Sequence, residues 1–274
     1  MHQSRHGESR GRGRVGRAGR VNIYLRLVYR NLRANLDRAS LFFELIFPLF
    51  FIFVQGFGLN GIVPPFDIGN GKFVSYSLFL AAGAVTLTVI NGGTNAGTQL
   101  WFDRKNGMFE QILMGPFTRA QYILSIIFAT LIIGVAGSLL VFVFAFPVVG
   151  ASFAFSLEGA LLIAAALFFG TVFFGAFAIT LSVALKSSET FQVVSTFAFF
   201  IFLFTSSVFF PASSAPSAIQ AASLANPLTY TTDIFRAGLF SAATSTTSLE
   251  LGVLAVEAAV MFVIAVLAFR RIRV

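Results

Sequence analysis

The chain has 274 residues, of which 57% carry hydrophobic side chains and only 11% are charged. A soluble domain is about 25% charged, so this composition excludes a surface that faces water throughout and indicates several membrane-spanning segments. The net charge is +8, the absence of cysteine excludes disulfides and thiolate metal sites, and the two histidines lie near the N-terminus, so no metal or catalytic site is predicted.

The N-terminal part of the chain divides into a tail and a helix. Residues 1–20 are rich in Arg and Gly and have no apolar core, so we expect a disordered basic tail without bound nucleic acid, not a signal peptide. Residues 21–40 place apolar side chains on one side of a helix and Arg26, Arg30 and Arg33 on the other. This pattern predicts an interfacial helix along the inner leaflet of the lipid bilayer.

Six apolar runs are each suited to a membrane-spanning helix. The first run contains Pro48, which predicts a kink. The predicted fold class is therefore an all-α membrane protein with six transmembrane helices. The predicted spans, within a transmembrane domain of residues 41–274, are 41–58, 73–98, 122–147, 158–185, 191–210 and 249–269.

Lysine and arginine orient these spans, because cytoplasmic loops carry an excess of both. With the N-terminus in the cytoplasm, all basic residues except Lys72 and Arg236 fall on the cytoplasmic side. Both termini are then cytoplasmic, as an even number of spans requires. We expect a multi-pass protein of a prokaryotic cell membrane.

The segment WFDRKNGMFEQILMGPFTR, residues 101–119, mixes five charges with large apolar side chains. Each charge would cost roughly 2.5–3.5 kcal/mol at the bilayer centre, so the segment is predicted to lie outside the hydrocarbon. Gly115 and Pro116 break the helix and Thr118 caps the next one. The pattern predicts a short amphipathic helix whose apolar residues contact the lipid surface, a neighbouring helix or another protein.

The segment of residues 211–247, between the fifth and sixth spans, is too long for a turn and too polar to cross the membrane. Asn226 and Pro227 form a helix-start signal, with Asn as the N-cap and Pro at the first position. Asp233 and Arg236 are three residues apart and can pair. We expect a re-entrant or rim-lying helical hairpin at the outer end, with a plain surface loop as the alternative.

Polar residues inside the spans are candidates for a translocation path. On the second span they form a stripe of Thr88, Asn91, Asn95 and Thr98. These side chains either line a path or hold helices together, and the adjacent Gly93 and Gly97 favour close packing. Glu257 lies within the sixth span, where an acid is either functional or protonated and hydrogen-bonded to a neighbouring helix.

Three stretches resemble one family, the membrane subunits of type-2 ATP-binding-cassette (ABC) exporters of the drug-resistance (daunorubicin) type. DRKNGMFEQILMGPFTRAQYILS is similar to the family's cytoplasmic loop, and SLFFELIFPLFFIFVQGFG is similar to its first span. SSVFFPASSAPSAIQAASLANPLTYTTDIFRAGLF is similar to its outer segment after the fifth span. The resemblance covers residues 22–274.

The resemblance implies a role for each of these segments. Residues 101–119 would contain the coupling helix, which docks on a separate cytoplasmic ABC ATPase subunit. The residues expected at this contact are Arg104, Lys105, Gly107, Phe109, Glu110, Leu113, Pro116 and Arg119. The re-entrant segment would form an outer gate. Its expected residues are Pro211, Asn226, Pro227, Tyr230, Asp233 and Arg236.

The chain is expected to transport without being an enzyme. The nearest approach to a P-loop, GNGKF at 69–73, has Phe73 in place of the Mg²⁺-binding hydroxyl, so two copies of the partner ATPase would bind ATP and Mg²⁺. A second permease copy, in a homodimer, would complete the exporter. We expect a lipophilic drug-like cargo, or else a glycolipid or polysaccharide. The alternatives are a proton-coupled secondary transporter or channel using Glu257, and a non-transporting anchor.

Overall fold

The structure is a computed structural model that describes residues 17–35, 38–69, 71–115, 117–149 and 156–270. The described chain is mostly helical, with one short antiparallel hairpin. The helices are α1 (Arg17–Asn35), α2 (Arg38–Phe50), α3 (Phe57–Leu59), α4 (Tyr76–Lys105), α5 (Met108–Met114), α6 (Arg119–Val149), α7 (Leu157–Ala184), α8 (Ser188–Phe204), α9 (Ser217–Ser223), α10 (Pro227–Leu239) and α11 (Ser245–Arg270). The remaining elements are a π-helix (Phe51–Gly56), a 3-10 turn (Ala212–Ser214) and strands β1 (Phe66–Asp67) and β2 (Phe73–Val74).

Four helices in the described part of the chain are long and apolar enough to cross a membrane. These candidate spans are Tyr76–Lys105, Arg119–Pro147, Leu157–Ala184 and Ser245–Arg270. Two shorter apolar helices, Leu45–Leu59 and Ser188–Phe204, coincide with the predicted first and fifth spans. The helical membrane-protein class is therefore confirmed, whereas the six-span topology stays a prediction.

Helix α4 is the centre of the bundle, and its glycines allow α7 to approach it closely. A Cβ atom on Gly93 would lie 2.6 Å from the Cβ of Phe174, and one on Gly97 would lie 2.7 Å from the carbonyl oxygen of Ala178. Neither position has space for a side chain, so the close packing predicted for Gly93 and Gly97 is confirmed. Small residues serve the same purpose between membrane helices in general.

The two ends of α4 define the two ends of the bundle. Helix α10 and the β-hairpin lie near the start of α4, at what we call the α10 end, and α9 is connected to α10 by the bond between Tyr230 and Leu224. Helices α1 and α5 and the first turn of α6 lie near Lys105, at what we call the α5 end. The C-terminal turns of α7 and α11 also reach the α5 end, where they contact Arg104 and Arg119.

Helix boundaries differ from the predicted ones at several places, and three of these differences bear on the candidate sites. The predicted tail includes Arg17–Arg20, which form the start of α1; residues 1–16 lie outside the described residues. Helix α4 continues past the predicted end at residue 98 to Lys105, and Gly107 is the first residue after this helix with a left-handed conformation. Helix α8 ends at Phe204, six residues before the predicted end of the fifth span, and residues 205–210 form bends.

Candidate functional sites

The α5 end carries a seven-residue helix between two membrane helices. Gly107 has φ = +67°, a conformation that glycine adopts without strain, and it separates the end of α4 from the start of α5. Helix α6 then begins with a capping box: the Gln121 N–H donates to the Thr118 hydroxyl, and the Thr118 N–H donates to the Gln121 side chain. The predicted order of short helix, turn and membrane helix is confirmed.

Large apolar side chains of this region face outward. Met114 is 80% exposed and Met108 is 40% exposed, and Phe102 on the last turns of α4 is 51% exposed. Lys105, in the last turn of α4, is also exposed, and its Nζ atom is 5.8 Å from the centre of the Trp101 ring. Exposed apolar side chains are suited to contact with a partner.

Two predicted docking residues bind other helices of the same chain. The Nη1 atom of Arg104 donates a hydrogen bond to the Ser182 carbonyl, in the last turn of α7, at 2.7 Å. The Nη1 atom of Arg119 donates to the carbonyls of Phe269 (3.4 Å) and Arg270 (2.8 Å) at the end of α11. Both arginines place positive charge at helix C-termini, where the backbone carbonyls attract it. They connect the region around α5 to α7 and α11.

The other predicted docking residues are only partly described. The side chains of Phe109, Glu110 and Leu113, and residue Pro116, lie outside what the structure describes. Their contact with an ATPase subunit stays a prediction.

Helix α1 is held to the α5 end by a polar network that the sequence analysis missed. Asp103 accepts hydrogen bonds from the Arg30 guanidinium on α1 and from the Tyr122 hydroxyl on α6, the latter at 2.6 Å. Asn31 is fully buried and donates to the Ser125 hydroxyl at 2.9 Å. The side of α1 that contacts the rest of the protein therefore includes polar residues, whereas the aromatic side chain of Tyr29 on the same helix is 64% exposed.

The same network continues on α4. The Gln99 side chain donates to the Asn31 oxygen at 2.7 Å and accepts from the Asn35 side chain at 2.5 Å. The only signal in the sequence is the spacing of Asn31 and Asn35, which places both amides on one side of a helix. Their partners come from α4 and α6, which the helical pattern of α1 alone does not specify.

At the α10 end, Asn226 joins the start of α10 to the end of α8. Its side-chain oxygen accepts from the Leu228 N–H at 2.9 Å, and Pro227 occupies the first helical turn, so the predicted N-cap is confirmed. Its side-chain nitrogen donates to the Phe202 carbonyl at 2.7 Å and to the Thr205 hydroxyl at 2.9 Å. The bond to Phe202 satisfies a backbone carbonyl in the last turn of α8, where helix carbonyls have no partner within their own helix.

Arg236 occupies the centre of the α10 end. Its Nη1 donates to the Ser207 carbonyl at 2.7 Å, and its Nη2 donates to the carbonyls of Val208 (2.9 Å) and Phe79 (3.1 Å). The guanidinium carbon also lies 3.5 Å from the centre of the Phe79 ring. The predicted ion pair with Asp233 is confirmed at 3.3 Å. The buried Arg236 side chain thus connects α10 to α4 and to the bends after α8 by hydrogen bonds.

Burial shifts the pKa values of both Arg236 and Asp233. Burial lowers the pKa of the Arg236 guanidinium to about 10, against the opposing effect of the Asp233 carboxylate, so it remains charged at neutral pH. Burial raises the pKa of Asp233, and Arg236 and the Ser207 hydroxyl oppose that rise. Gly83 makes room for the contact, because a Cβ atom there would lie 2.7 Å from the Arg236 Nη2 atom.

The remaining predicted gate residues have local roles. Pro211 precedes the 3-10 turn, and its carbonyl accepts from the Ser214 N–H at 2.9 Å. The Tyr230 hydroxyl donates to the Leu224 carbonyl at 2.6 Å, which fixes the turn between α9 and α10. Helix α10 itself is buried along nearly its whole length, whereas α9 is mostly exposed.

The polar stripe on α4 divides into two parts. Thr88 is buried, and its hydroxyl lies 2.6 Å from the Ser138 hydroxyl on α6. Asn91, Asn95 and Thr98 are partly exposed, and the Thr98 hydroxyl bonds within α4. Within the described ranges, neither asparagine side chain has a hydrogen-bond partner. Thr88 therefore holds helices together, whereas the two amides are open to a ligand.

Replacing Asn95 by leucine is therefore expected to leave the free energy of unfolding within about 0.5 kcal/mol of the wild type, because no side-chain hydrogen bond to the described residues is lost. Gly97→Leu is the matched control on the same helix, and we expect it to prevent folding, since its side chain would overlap α7. Thermal unfolding of purified protein in detergent measures both. A large loss of stability in Asn95→Leu would show that this amide holds helices together.

Glu257 lies on α11 and is partly buried. Its Oε2 atom is buried and has no hydrogen-bond partner among the described residues. This oxygen makes no hydrogen bond to a neighbouring helix of the described chain, and a functional role for the acid stays a prediction.

Phenylalanine side chains of the two shorter apolar helices form an exposed face. The Phe47 and Phe199 ring centroids are 5.6 Å apart, which joins α2 to α8. The exposed members of this aromatic face are Phe50, Phe53, Phe57, Phe200 and Phe204. The π-helix at Phe51–Gly56 lies within it, and such irregular turns are frequent at functional sites.

These features define a multi-pass helical membrane protein with a short helix at one end and a buried hairpin helix at the other. The family model described as ABC-2 type transporter matches residues 24–240, which is most of the chain. The chain belongs to the ABC-2 type transporter family, as a membrane component that is generally non-catalytic. Permeases of this family typically work with an ATPase subunit. A comparison with curated proteins finds no match.

Proposed function

We propose that this chain is the transmembrane subunit of an ATP-driven exporter, with six spans, and that α5 is the coupling helix that docks on a separate ATPase subunit. The observation that carries the proposal is α5 itself. It is a seven-residue helix set between two candidate spans by Gly107 and the Thr118 cap, with Met108 and Met114 exposed. The membership in the ABC-2 family supplies the class of partner.

The orientation follows from basic residues. The α5 end carries Arg104, Lys105 and Arg119, and Lys186 lies in the short connection between α7 and α8. An excess of Lys and Arg is typical of the cytoplasmic side. We therefore place the α5 end and both termini in the cytoplasm and the α10 end outside, in a prokaryotic cell membrane.

Movement of α5 would reach most of the permease subunit directly. Asp103 links this region to α1 and α6, Arg104 links it to α7, and Arg119 links it to α11. In the described part of the chain, no hydrogen bond from Asp103, Arg104 or Arg119 reaches α2 or α8. Closure of the ATPase dimer on ATP would then move one body of helices relative to α2 and α8.

In the proposed exporter, the translocation path lies between two copies of the permease chain. The aromatic face of α2, the π-helix and α8 would form the interface with the second copy of a homodimer, because its members Phe50, Phe53, Phe57, Phe200 and Phe204 are exposed in the single chain. Asn91, Asn95 and Thr98 would line the cytoplasmic half of the path. The buried α10 hairpin, held by Arg236, would close the outer end. Such a phenylalanine-rich path suits a lipophilic drug-like cargo, with a glycolipid or polysaccharide as the second choice.

Co-purification tests the proposed partner. The wild-type chain, expressed with a candidate ABC ATPase subunit from the same genome, is expected to purify as a complex that Glu110→Arg disrupts. Glu158→Arg is the matched control, because Glu158 is an exposed acid at the opposite end of the bundle. A complex that survives Glu110→Arg, or is lost equally in the control, would contradict docking through α5.

Replacing Glu257 by glutamine is expected to leave ATP-dependent transport in proteoliposomes within about twofold of the wild type, because the proposed mechanism moves no proton through this acid. The alternative of a proton-coupled transporter requires loss of transport in Glu257→Gln and transport without an ATPase. Measuring cargo flux with and without ATP, and with and without a proton gradient, distinguishes the two.

A further inference from the structure

Helix α1 leaves one of its sides uncovered by the described chain. Three of its side chains are buried against the bundle, namely Leu27, Val28 and Asn31. The opposite side is exposed, and we call it the outer face of α1; its residues are Leu25, Arg26, Tyr29 and Arg33. With about 3.6 residues per turn, these four residues fall within an arc of about 100° on the helix, so they form one continuous surface.

The structure separates arginines that the sequence pattern places together. The Arg30 guanidinium is partly buried and paired with the Asp103 carboxylate. Arg26 and Arg33 are exposed, and neither has an ion-pair or hydrogen-bond partner among the described residues. Helix α1 contains five arginines and no acidic residue, so no charge on this helix compensates them. The outer face therefore carries two free positive charges, which an anionic partner complements.

The other two side chains of the outer face favour a membrane surface as that partner. Leu25 is 54% exposed and Tyr29 is 64% exposed, and they alternate along α1 with the two arginines. Tyrosine is enriched at the boundary between bilayer and water. Arginine extends along apolar surface while its charged head stays among polar groups. A helical face that combines the two is typical of helices that lie on anionic bilayers.

The outer face also lies at the depth of the lipid headgroups. Arg30 pairs with Asp103 in the last turn of α4, a candidate membrane span that ends at Lys105. A charged pair is costly in hydrocarbon, so this turn lies outside the hydrocarbon core. Arg26 and Arg33 are at most four residues from Arg30, about 6 Å along the helix, and therefore lie at a similar depth.

We propose that the outer face of α1 binds the phosphate headgroups of anionic phospholipids, in the inner leaflet under the orientation given above. Arg26 and Arg33 would each contact a phosphate, at points about 10 Å apart along the helix, while Leu25 and Tyr29 would enter the apolar layer beneath. Because α1 is bonded to the last turns of α4, lipid bound there would hold the α5 end in place. The proposal rests on the membrane-protein class of the chain and not on ATP-driven export.

Fluorescence quenching by spin-labelled lipids tests the proposal on the full-length chain in phosphatidylcholine–phosphatidylglycerol vesicles. The chain has no cysteine, so Leu25→Cys provides a single thiol for a dye beside Arg26. Spin-labelled phosphatidylglycerol and spin-labelled phosphatidylcholine are compared as quenchers in otherwise identical vesicles. We expect a preference for phosphatidylglycerol of about fivefold or more at this site, the contribution of one arginine near an anionic surface. A dye at Val260→Cys, 53% exposed on α11, should be quenched equally by both lipids.

Two pairs of substitutions assign the preference to the outer face. Arg26→Gln/Arg33→Gln should abolish it, whereas Lys186→Gln/Arg270→Gln, which removes two other exposed bases at the α5 end, should preserve it. Unchanged quenching at Val260→Cys shows that each variant is folded in the bilayer.

Four results would overturn the proposal. Equal quenching by both lipids at Leu25→Cys, or a preference that survives Arg26→Gln/Arg33→Gln, would show that the arginines bind no phosphate headgroup. A preference lost equally in Lys186→Gln/Arg270→Gln would show a diffuse effect of net charge. Quenching by neither lipid, while Val260→Cys is quenched, would place the outer face in water or under a protein such as the ATPase subunit.

Discussion

Replacing Arg236 by methionine is expected to destabilise the protein by about 3–5 kcal/mol, because several buried carbonyls lose their donor and each unsatisfied buried group costs about 1–3 kcal/mol. The change removes the hydrogen bonds to the Ser207, Val208 and Phe79 carbonyls and leaves the Asp233 carboxylate without its cation. Buried carbonyls without a donor are costly in a membrane protein. We expect loss of monodisperse protein or a strongly lowered melting temperature in detergent.

Two control variants test whether the loss of stability in Arg236→Met comes from the hydrogen bonds of this side chain. Arg236→Lys keeps the charge but lacks the planar fork that reaches several carbonyls, so an intermediate melting temperature is expected. Arg26→Met removes an exposed arginine on α1 and is expected to change little. If Arg236→Met melts within 2 °C of the wild type, Arg236 does not hold the α10 end together.

The second large effect is expected at Asp103. Asp103→Leu leaves the partly buried Arg30 guanidinium without its carboxylate and removes a hydrogen-bond acceptor from the Tyr122 hydroxyl. Because an uncompensated buried charge costs about 3–5 kcal/mol, this variant should lose much of its stability, and α1 should separate from α6. Thermal unfolding and limited proteolysis near Arg26 and Arg33 measure the two consequences.

The double variant Arg30→Met/Asp103→Leu provides the decisive comparison. Replacing both partners by apolar residues is often close to neutral, so we expect the double variant to be more stable than Asp103→Leu alone. If the two single effects simply add, the two residues are not coupled, and the link from α1 to the α5 end has no energetic basis.

The sequence predicts those features that depend on local pattern. The apolar runs that became α4, α6, α7 and α11, the Thr118 and Asn226 caps, and the glycine contact at Gly93 all follow from neighbouring residues on one helix. Each needs only helical geometry or a cap preference. The class of protein and the position of α5 follow from the same kind of information.

The features that sequence analysis missed depend on contacts between distant segments. Arg236 bonds to Phe79, 157 residues away, and its main partners are backbone carbonyls that no side-chain pattern indicates. Arg104 and Arg119 look like exposed docking charges, but their guanidinium groups bind the ends of α7 and α11. The early end of α8 likewise depends on Asn226 and Arg236, which belong to another element.

The central claim is that α5 contacts an ATPase subunit, and site-specific cross-linking in cells tests it most directly. Met114 and Leu224 are 80% and 71% exposed and lie at opposite ends of the bundle, and the absence of other cysteines makes each substitution by cysteine unique. With a short thiol-to-amine cross-linker, we predict an adduct between the ATPase subunit and Met114→Cys but none with Leu224→Cys. An adduct only with Leu224→Cys, or none with either folded variant, would contradict the account.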